Sequence, residues 1–308
     1  MDVLNDILDT LNLKGALYFR TDFSPPWAVT VPDLDQAARF HLVVQGTCRI
    51  EFPSGASVDL GAGDLVLIPK GRSHVLADQA GRTAPPLETV LDNVGYDGEG
   101  VLVVGDGDPN SSTQLICGHF NFRRDADHPI LRALPEYLLT TASMRARQPW
   151  LDEMLRLVAQ RVFSKDIGSK ASVIRLSEIV FIELLRVGID QSEELCSILE
   201  AFKDRQIGQA LQLIHAKAAE PWTVESLASE VGMSRSRFAE RFSDLMDTGP
   251  MAYLSDWRLQ KALSLLDDSR CSVQQVAIQT GYQSPAAFTR AFSGKFGVPP
   301  REYRRNAN

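Results

Sequence analysis

The chain has 308 residues, enough for two domains at about 100–200 residues each. Its 44% hydrophobic and 23% charged residues are typical of a globular protein and disfavour a disordered or fibrous one. The net charge of −7 hides an asymmetry. Residues 205–308 hold 13 Lys and Arg against 10 Asp and Glu, a net +3, whereas the rest of the chain holds 19 against 29, a net −10. A basic C-terminal third permits polyanion binding at that end.

The first residues, "MDVLNDILDTLNL", have neither the basic region nor the cleavage site of a signal peptide. No apolar run approaches the roughly 20 residues that span a bilayer. We therefore expect a cytoplasmic protein that makes no use of a membrane. The cysteines form no CxxC pair, which argues against a disulfide framework or a zinc ribbon; they are Cys48, Cys117, Cys196 and Cys271.

The first 120 residues have the pattern of short strands. The stretches "FHLVVQGTCRIEF", "GDLVLIP" and "STQLICGHFNF" are apolar and rich in β-branched residues, and turn residues separate them. Several such strands in succession predict an antiparallel sandwich or barrel. Residues 79–111 are rich in Gly, Pro and Asp, and we interpret them as loop-rich.

A histidine follows a glycine turn, a strand and a Pro-x-Gly bend in "GDLVLIPKGRSHVLAD". The spacing runs from Gly63 through Pro69 and Gly71 to His74, and it resembles the second motif of the cupins. The closing Asn of that motif corresponds to Asp78 here. The resemblance implies a small antiparallel β-barrel that often holds a metal or a ligand in its interior.

The first cupin motif is largely missing, because "DLDQAARF" and His41 stand where His-x-His is expected. The usual cupin ligand set of three histidines and a glutamate cannot be assembled. His41, His74 and Cys117 each lie in or at the end of a predicted strand, and two imidazoles with a thiolate suit zinc or another divalent metal. Cys48 or His119 is a candidate fourth ligand, and a metal-bound thiolate would also be open to oxidation.

Three interpretations of this barrel remain open. The barrel holds a metal or redox site, or it holds a pocket for a small organic ligand. The third interpretation is a purely structural barrel in which the histidines and cysteines are core residues. No cofactor is certain from the sequence.

From about residue 129 the pattern becomes helical. The stretch 172–189, "SVIRLSEIVFIELLRVGI", carries apolar residues on two sides of the predicted helix. One side can meet the barrel, and the other can meet a partner helix or a second subunit. We expect a helical linker that permits a homodimer.

The C-terminal third contains an internal repeat with a period of 50 residues. Five pairs match at this offset: Ser234 and Ser284, Phe238 and Phe288, Phe242 and Phe292, Pro250 and Pro300, Tyr253 and Tyr303. A repeat of this kind indicates a duplicated supersecondary unit. In each copy, a capped helix ends at a glycine (Gly232, Gly281) and a second helix begins after Ser234 or Ser284, which predicts a helix-turn-helix.

The stretches "WTVESLASEVGMSRSRFAERF" and "AIQTGYQSPAAFTRAFSGKFGVPPREYRR" resemble the AraC/XylS-type transcriptional regulators. The resemblance covers residues 205–305. It implies two helix-turn-helix units, joined by a linking helix, that read successive major grooves about 34 Å apart. When these two stretches are considered together with the barrel motif, the whole chain resembles AraC-type regulators with a cupin-like sensor domain.

The second helix of each unit carries the candidate DNA contacts. They are Arg235, Ser236, Arg237, Ala239, Glu240, Ala286, Ala287, Thr289 and Arg290. Arg237 and Arg290 are the leading candidates for base contact, because arginine is the commonest reader of guanine. Glu240 repels phosphate unless it accepts a hydrogen bond from cytosine N4. Further cations, expected to position the DNA backbone, are Lys295, Arg301, Arg304 and Arg305.

The sequence therefore predicts an α+β chain in three parts: a cupin-like antiparallel β-barrel sensor (1–125), a helical linker and dimerisation region (126–204), and an all-α domain with two helix-turn-helix units (205–305). We expect a sequence-specific regulator, an activator, that responds to a metal, redox or small-molecule effector. Its partners would be double-stranded promoter DNA and RNA polymerase. The alternative is a cupin-type metalloenzyme, an oxygenase or isomerase, with an accessory DNA-binding domain.

Overall fold

The computed structural model describes residues 3–98, 100–105, 111–161, 166–188, 192–268 and 270–307. Its contacts group the chain into two compact units. The barrel unit comprises Leu13–Phe122 and Leu134–Ser192, and the helical unit comprises Met1–Asn12, Arg123–Ala133 and Glu193–Asn308. The three-part division of the sequence stays a prediction.

The barrel unit is built on two sheets. Its strands are β1 (Lys14–Phe23), β2 (Ala28–Val31), β3 (Ala37–Gln45), β4 (Thr47–Glu51), β5 (Ser57–Gly61), β6 (Leu65–Ile68), β7 (His74–Ala77), β8 (Val101–Val104), β9 (Thr113–Asn121) and β10 (Leu138–Thr140). One sheet has the order β10-β6-β3-β9-β1-β8 and the other has the order β2-β7-β4-β5. The named strand pairs are antiparallel except β1 with β8, which is parallel.

The stretch 79–111, which the sequence predicts to be loop-rich, also contains two regular elements. A helix, α2 (Leu87–Val94), and strand β8 lie in this stretch, of which residues 99 and 106–110 fall outside the described part of the chain. Val90 and Leu102 are buried in the barrel core. Because β8 is only four residues long and glycines flank it, its alternation of buried and exposed side chains is too short to recognise in the sequence.

The central strands of the barrel's larger sheet, β6, β3 and β9, carry buried side chains on both faces. Its inner face carries His41, Val43 and Cys117, while Phe120 on the outer face packs on Phe181 with ring centroids 5.0 Å apart. The covering helices of this unit are α4 (Ala142–Ala146), α5 (Pro149–Arg161) and α6 (Ser169–Val187). α6 corresponds to the predicted linker helix, whose last residue, Ile189, lies outside the described residues.

The helical unit contains α1 (Val3–Leu11), α3 (Pro129–Arg132), α7 (Glu193–Lys203), α8 (Arg205–Ala216), α9 (Val224–Glu230), α10 (Arg235–Met246), α11 (Pro250–Asp267), α12 (Val273–Gln279), α13 (Pro285–Phe296) and α14 (Pro300–Ala307). The two predicted helix-turn-helix units are confirmed as α9–α10 and α12–α13, joined by α11. None of the described helices is both long and apolar enough to cross a membrane.

The repeat positions perform the same local roles in both copies. Ser234 and Ser284 accept hydrogen bonds from main-chain N–H groups of their own helices, and so begin α10 and α13. Gly232 and Gly281 have φ of +66° and +80° at the ends of α9 and α12. The phenylalanine pairs, which include Phe288, are fully buried and form the core beneath each second helix.

Candidate functional site

The helices α10 and α13 present most of the predicted DNA contacts to solvent. Exposed side chains are Arg235, Ser236, Arg237, Glu240, Ala286 and Arg290, and half-buried ones are Ala239, Ala287 and Thr289. Because each helix buries two phenylalanines on its opposite side, these residues form one polar face per helix-turn-helix unit. This is the arrangement by which a recognition helix enters a major groove.

Local ion pairs determine which of the predicted DNA contacts have a free charge to offer. Arg235 Nε lies 2.6 Å from Glu225 Oε1 of α9, so the carboxylate partly neutralises the first arginine of α10. Arg237 and Arg290 are exposed, and both have the length to reach a base edge or a phosphate. Glu240 is exposed on the same helix as Arg237.

Two of the cations expected to contact phosphate are engaged within the protein. Lys295 Nζ is 2.7 Å from Asp127 Oδ2. Arg304 donates to the carbonyl oxygens of Leu266 and Cys271, at 2.9 and 2.6 Å, and so ties α14 to the residues between α11 and α12. Sequence patterns show where cations occur, but they do not show which cations the fold itself uses.

The three candidate residues of the barrel lie together. β3 and β9 pair His41 directly with Cys117, and His41 Nδ1 is 3.1 Å from Cys117 Sγ. On the other edge of the same ring, His41 Nε2 is 2.9 Å from His74 Nε2. His74 Nδ1 is 2.8 Å from the carbonyl oxygen of Arg72, which accepts a hydrogen bond. All three side chains are buried.

The last contact fixes the direction of the chain of hydrogen bonds. The Nδ1–H of His74 donates to the Arg72 carbonyl, so Nε2 of neutral His74 is an acceptor. His41 therefore donates from Nε2, and its Nδ1 accepts from the Cys117 thiol. We call this series, Cys117–His41–His74–Arg72, the thiol relay.

Burial keeps every member of the thiol relay neutral. Desolvation, together with unfavourable electrostatic interactions with His74 and Arg39, lowers the pKa of His41 far below its usual value. Burial lowers the pKa of His74 to about 4. Burial also raises the pKa of the Cys117 thiol, so the thiolate needed for nucleophilic or oxidative chemistry is disfavoured.

The thiol relay differs from a metal ligand shell. Cys117 and His74 contact opposite edges of the His41 ring, so one ion cannot reach all three side chains unless that ring turns. Among the described residues, no group of three or more His, Cys, Asp and Glu side chains is arranged to hold a metal ion. The ligand set His41, His74 and Cys117 stays a prediction, as do Cys48 and His119 as further ligands.

A cavity of about 120 Å³ adjoins the thiol relay inside the barrel unit. Its lining residues are Thr21, Phe23, Val29, Val31, Arg39, His41, Leu76, Leu87 and Cys117. Most of the wall is apolar, and the polar groups come mainly from β3 and β9. The sequence could not indicate this cavity, because Leu87 lies on α2 in the loop-rich stretch and the other lining residues lie on five separate strands.

Comparison with known proteins assigns both halves of the chain. Residues 2–190 match the family model described as "Cupin", and residues 227–306 match the one described as "Helix-turn-helix domain". The chain is 32% identical to the HTH-type transcriptional regulator AlkR of Acinetobacter baylyi, over 100% of both chains. It is 29% identical to the RCS-specific HTH-type transcriptional activator RclR of Escherichia coli, over 86% of this chain and 84% of RclR.

Among solved structures, the DNA-binding domain of AdpA in complex with a target DNA is 31% identical. The match covers 33% of this chain and 92% of that one, with a TM-score of 0.32.

Proposed function

Because the chain belongs to the AraC-like HTH-type transcriptional regulators with a cupin N-terminal domain, and is a DNA-binding regulator, we propose that its barrel unit senses a small organic molecule. The molecule is largely apolar, has about the size of benzene, and carries one hydroxyl or carbonyl group.

The cavity beside the thiol relay carries this proposal. A closed apolar cavity of about 150 Å³ in another protein admits benzene, and 120 Å³ sets a similar limit here. Val29, Val31 and Leu76 provide an apolar wall, while Thr21 and Arg39 also line the cavity and carry hydrogen-bond donors. A polar group on the ligand would compensate for the desolvation of these side chains.

The experiment is a thermal-shift screen of phenols, benzyl alcohols and benzaldehydes on the wild-type chain. We expect at least one compound to raise the midpoint, and Val31→Phe, which fills the cavity, to abolish the shift. Val103→Phe is the matched control, since Val103 is 55% exposed on β8. If no compound stabilises the wild type, or if the same compound raises the midpoint of Val31→Phe equally, the proposal of an organic ligand is wrong. Overpacking by Val31→Phe can cost about 1–3 kcal/mol of stability. Leu76→Met therefore serves as a second variant, because it changes the cavity wall with a smaller loss of stability.

A metal or redox effector is the second candidate, because His41, His74 and Cys117 lie in contact, although the His41 ring must turn before one ion can reach all three side chains. The relative named "RCS-specific" supports a redox signal by analogy. Elemental analysis of untagged wild type and His74→Ala tests the metal. About one ion per protomer, lost in the variant, would replace the organic ligand with a metal sensor.

The remaining partners are proposed by analogy with the family. We propose that the chain activates transcription at a promoter through contact with RNA polymerase, and that it does so in the cytoplasm. The relative RclR, which is named an activator, supports activation over repression. We also propose a homodimer, supported by exposed Trp150 and Ile179 on α5 and α6. Sedimentation of the wild type against Ile179→Glu tests the dimer, which the variant should weaken.

A further inference from the structure

Six consecutive residues, Arg123–His128, directly follow Phe122 and the strand β9 that carries Cys117. They belong to the helical unit. We call residues 123–128 the latch, because every one of them contacts a helix of the DNA-binding region or a residue that does. The known activity of a DNA-binding regulator does not require these contacts.

The first two residues of the latch attach it to α11 and α14. Arg123 makes an ion pair with Asp267, at the end of α11. The hydroxyl of Tyr303 donates to the carbonyl oxygen of Arg124 at 3.1 Å. The Arg124 guanidinium also lies 5.6 Å from the centre of the Tyr303 ring, within the range of a cation–π contact. The latch is therefore joined to both ends of the second helix-turn-helix region.

Gln260 of α11 holds the main chain of the latch. Its amide nitrogen donates to the carbonyl oxygen of Asp125 at 3.3 Å, and its amide oxygen accepts from the N–H of Asp127 at 3.2 Å. The side chain is only 2% exposed. Because a buried amide without partners is costly, these two bonds favour one docked position of the latch over many alternatives.

The side chain of Asp127 binds Lys295 on α13, the second helix of the second helix-turn-helix unit. The Lys295 Nζ lies 2.7 Å from Asp127 and 3.3 Å from Asp256 of α11. Asp127 also accepts from Arg132 at 3.0 Å. Burial alone would lower the pKa of Lys295, but the two carboxylates raise it overall, so the ammonium stays charged. A lysine held by two carboxylates is not available to a DNA phosphate.

The end of the latch is anchored by a buried network. The N–H of Ile130 donates to His128 Nδ1, so neutral His128 donates from Nε2 to the Tyr253 hydroxyl at 3.0 Å. Tyr253 then donates to His215 Nε2 at 2.7 Å, and His215 donates to Asp6 of α1 at 2.9 Å. Tyr253 lies on α11, so the latch has fixed points on the same helix at Tyr253, Gln260 and Asp267.

We propose that residues 123–128 are an autoinhibitory latch that keeps Lys295 on Asp127 and away from the phosphate backbone of DNA. The latch is the direct continuation of β9, so a change in the barrel at Cys117 reaches it along the chain. Release of Asp127 leaves Lys295 with only the longer, 3.3 Å contact to Asp256, and so makes it available for one additional phosphate contact. The trigger rests on the proposed sensing function of the barrel, whereas the inhibition itself does not.

The test measures DNA binding by fluorescence anisotropy between 50 and 200 mM salt, on the full chain without any effector. The probe is a duplex that the wild-type chain selects from a randomised pool, compared with a scrambled duplex. The variants are Asp127→Asn, Arg123→Gln and the control Asp256→Asn. The control makes the same change of charge and touches the same lysine, but it lies on α11 outside the latch.

We expect Asp127→Asn and Arg123→Gln each to bind the selected duplex about fivefold more tightly at 50 mM salt, and to steepen the salt dependence by about 0.9, as one additional phosphate contact does. Asp256→Asn should stay within about twofold of wild type, because Asp127 still holds Lys295. A further Lys295→Gln substitution should remove the gain from Asp127→Asn.

The direction in which Arg123→Gln changes the DNA affinity distinguishes a latch from a simple effect of charge. Loss of a cation weakens polyanion binding if charge alone decides, whereas loss of the latch strengthens it. Weaker or unchanged binding by Arg123→Gln, or equal gains for Asp127→Asn and Asp256→Asn, would overturn the latch. A failure of DNA recognition would look different, because the wild type would then bind the selected and scrambled duplexes equally. A failure of the ligand proposal leaves these measurements unaffected, since no effector is added.

Discussion

His41 on β3 lies directly across from Cys117 on β9, with the imidazole Nδ1 3.1 Å from the thiol sulfur. This pair connects the cavity wall with the strand that continues into the latch. The neutral, buried thiol indicates a binding site more than a reactive one.

The Cys117 thiol should therefore react slowly with a thiol reagent in the native chain. Cys117 is 5% exposed and burial raises its pKa, whereas Cys196 is half-buried on α7. We expect Ellman's reagent to label the half-buried Cys196 and Cys271 first, and Cys117 only after unfolding. Rapid labelling of Cys117 in a Cys196→Ser, Cys271→Ser chain would favour the redox effector.

Arg290→Ala should weaken binding to the selected duplex by about 1–3 kcal/mol and relax the preference at one base pair, if Arg290 reads a guanine. Arg235→Ala should cost less, because Glu225 already pairs with that arginine. Competition titrations with single-base variants of the duplex measure both effects. A uniform loss across all of these duplexes would show that Arg290 contacts only phosphate.

Gly71→Ala should destabilise the barrel unit by about 2–4 kcal/mol. Gly71 has φ of +59°, and an added Cβ would collide with the carbonyl oxygen of Leu34. Gly55→Ala is the matched control, because its φ is +89° and nothing lies within 4 Å of the added Cβ, so only a backbone cost of about 1–2 kcal/mol remains. Urea unfolding compares the two; equal losses would contradict the collision.

Phe288→Ala should cost about 3–5 kcal/mol in the stability of the helical unit, because the ring is fully buried between α12 and α13. Ile278→Ala on α12 is the control, since Ile278 is 62% exposed and its loss should change little. Thermal unfolding followed by circular dichroism measures the difference. A small effect of Phe288→Ala would contradict the packing of the second unit.

The helical unit should lose stability as the pH falls below about 6.5. Burial, then the charges of His215 and Arg132, lower the pKa of His128 far below the 6.5 of the unfolded chain. The unfolded state therefore binds the proton more readily, and the free energy of unfolding rises with pH in this range. Unfolding at pH 8 and pH 5 should differ less in His128→Asn than in wild type; an identical difference would exclude His128 as a source.

Much of the helical unit was predictable because its signals are local. The caps at Ser234 and Ser284, the glycines with positive φ and the buried phenylalanines all depend on residues within one helical turn. Strand pairing in the barrel is not local. The spacing of the cupin motif identified His74, but it could not show that His41 bridges His74 and Cys117 as a relay.

The latch could not be predicted at all. In the sequence, the stretch "RRDADH" has the composition of an ordinary charged loop after a strand, and Lys295 has the pattern of a surface cation. Their contact spans 168 residues of sequence, from Asp127 to Lys295. Only the fold brings such groups together, because no periodicity or motif relates them.

The central claim is that this chain recognises a specific DNA sequence through its two helix-turn-helix units. The most direct measurement is the affinity of the wild-type chain for the selected and the scrambled duplex at one fixed salt concentration near 150 mM. We predict a ratio of about 10³ or more, which Arg290→Ala and Arg237→Ala together largely abolish. Equal, weak and strongly salt-dependent binding of both duplexes would contradict it, because it would leave only non-specific attraction to phosphate.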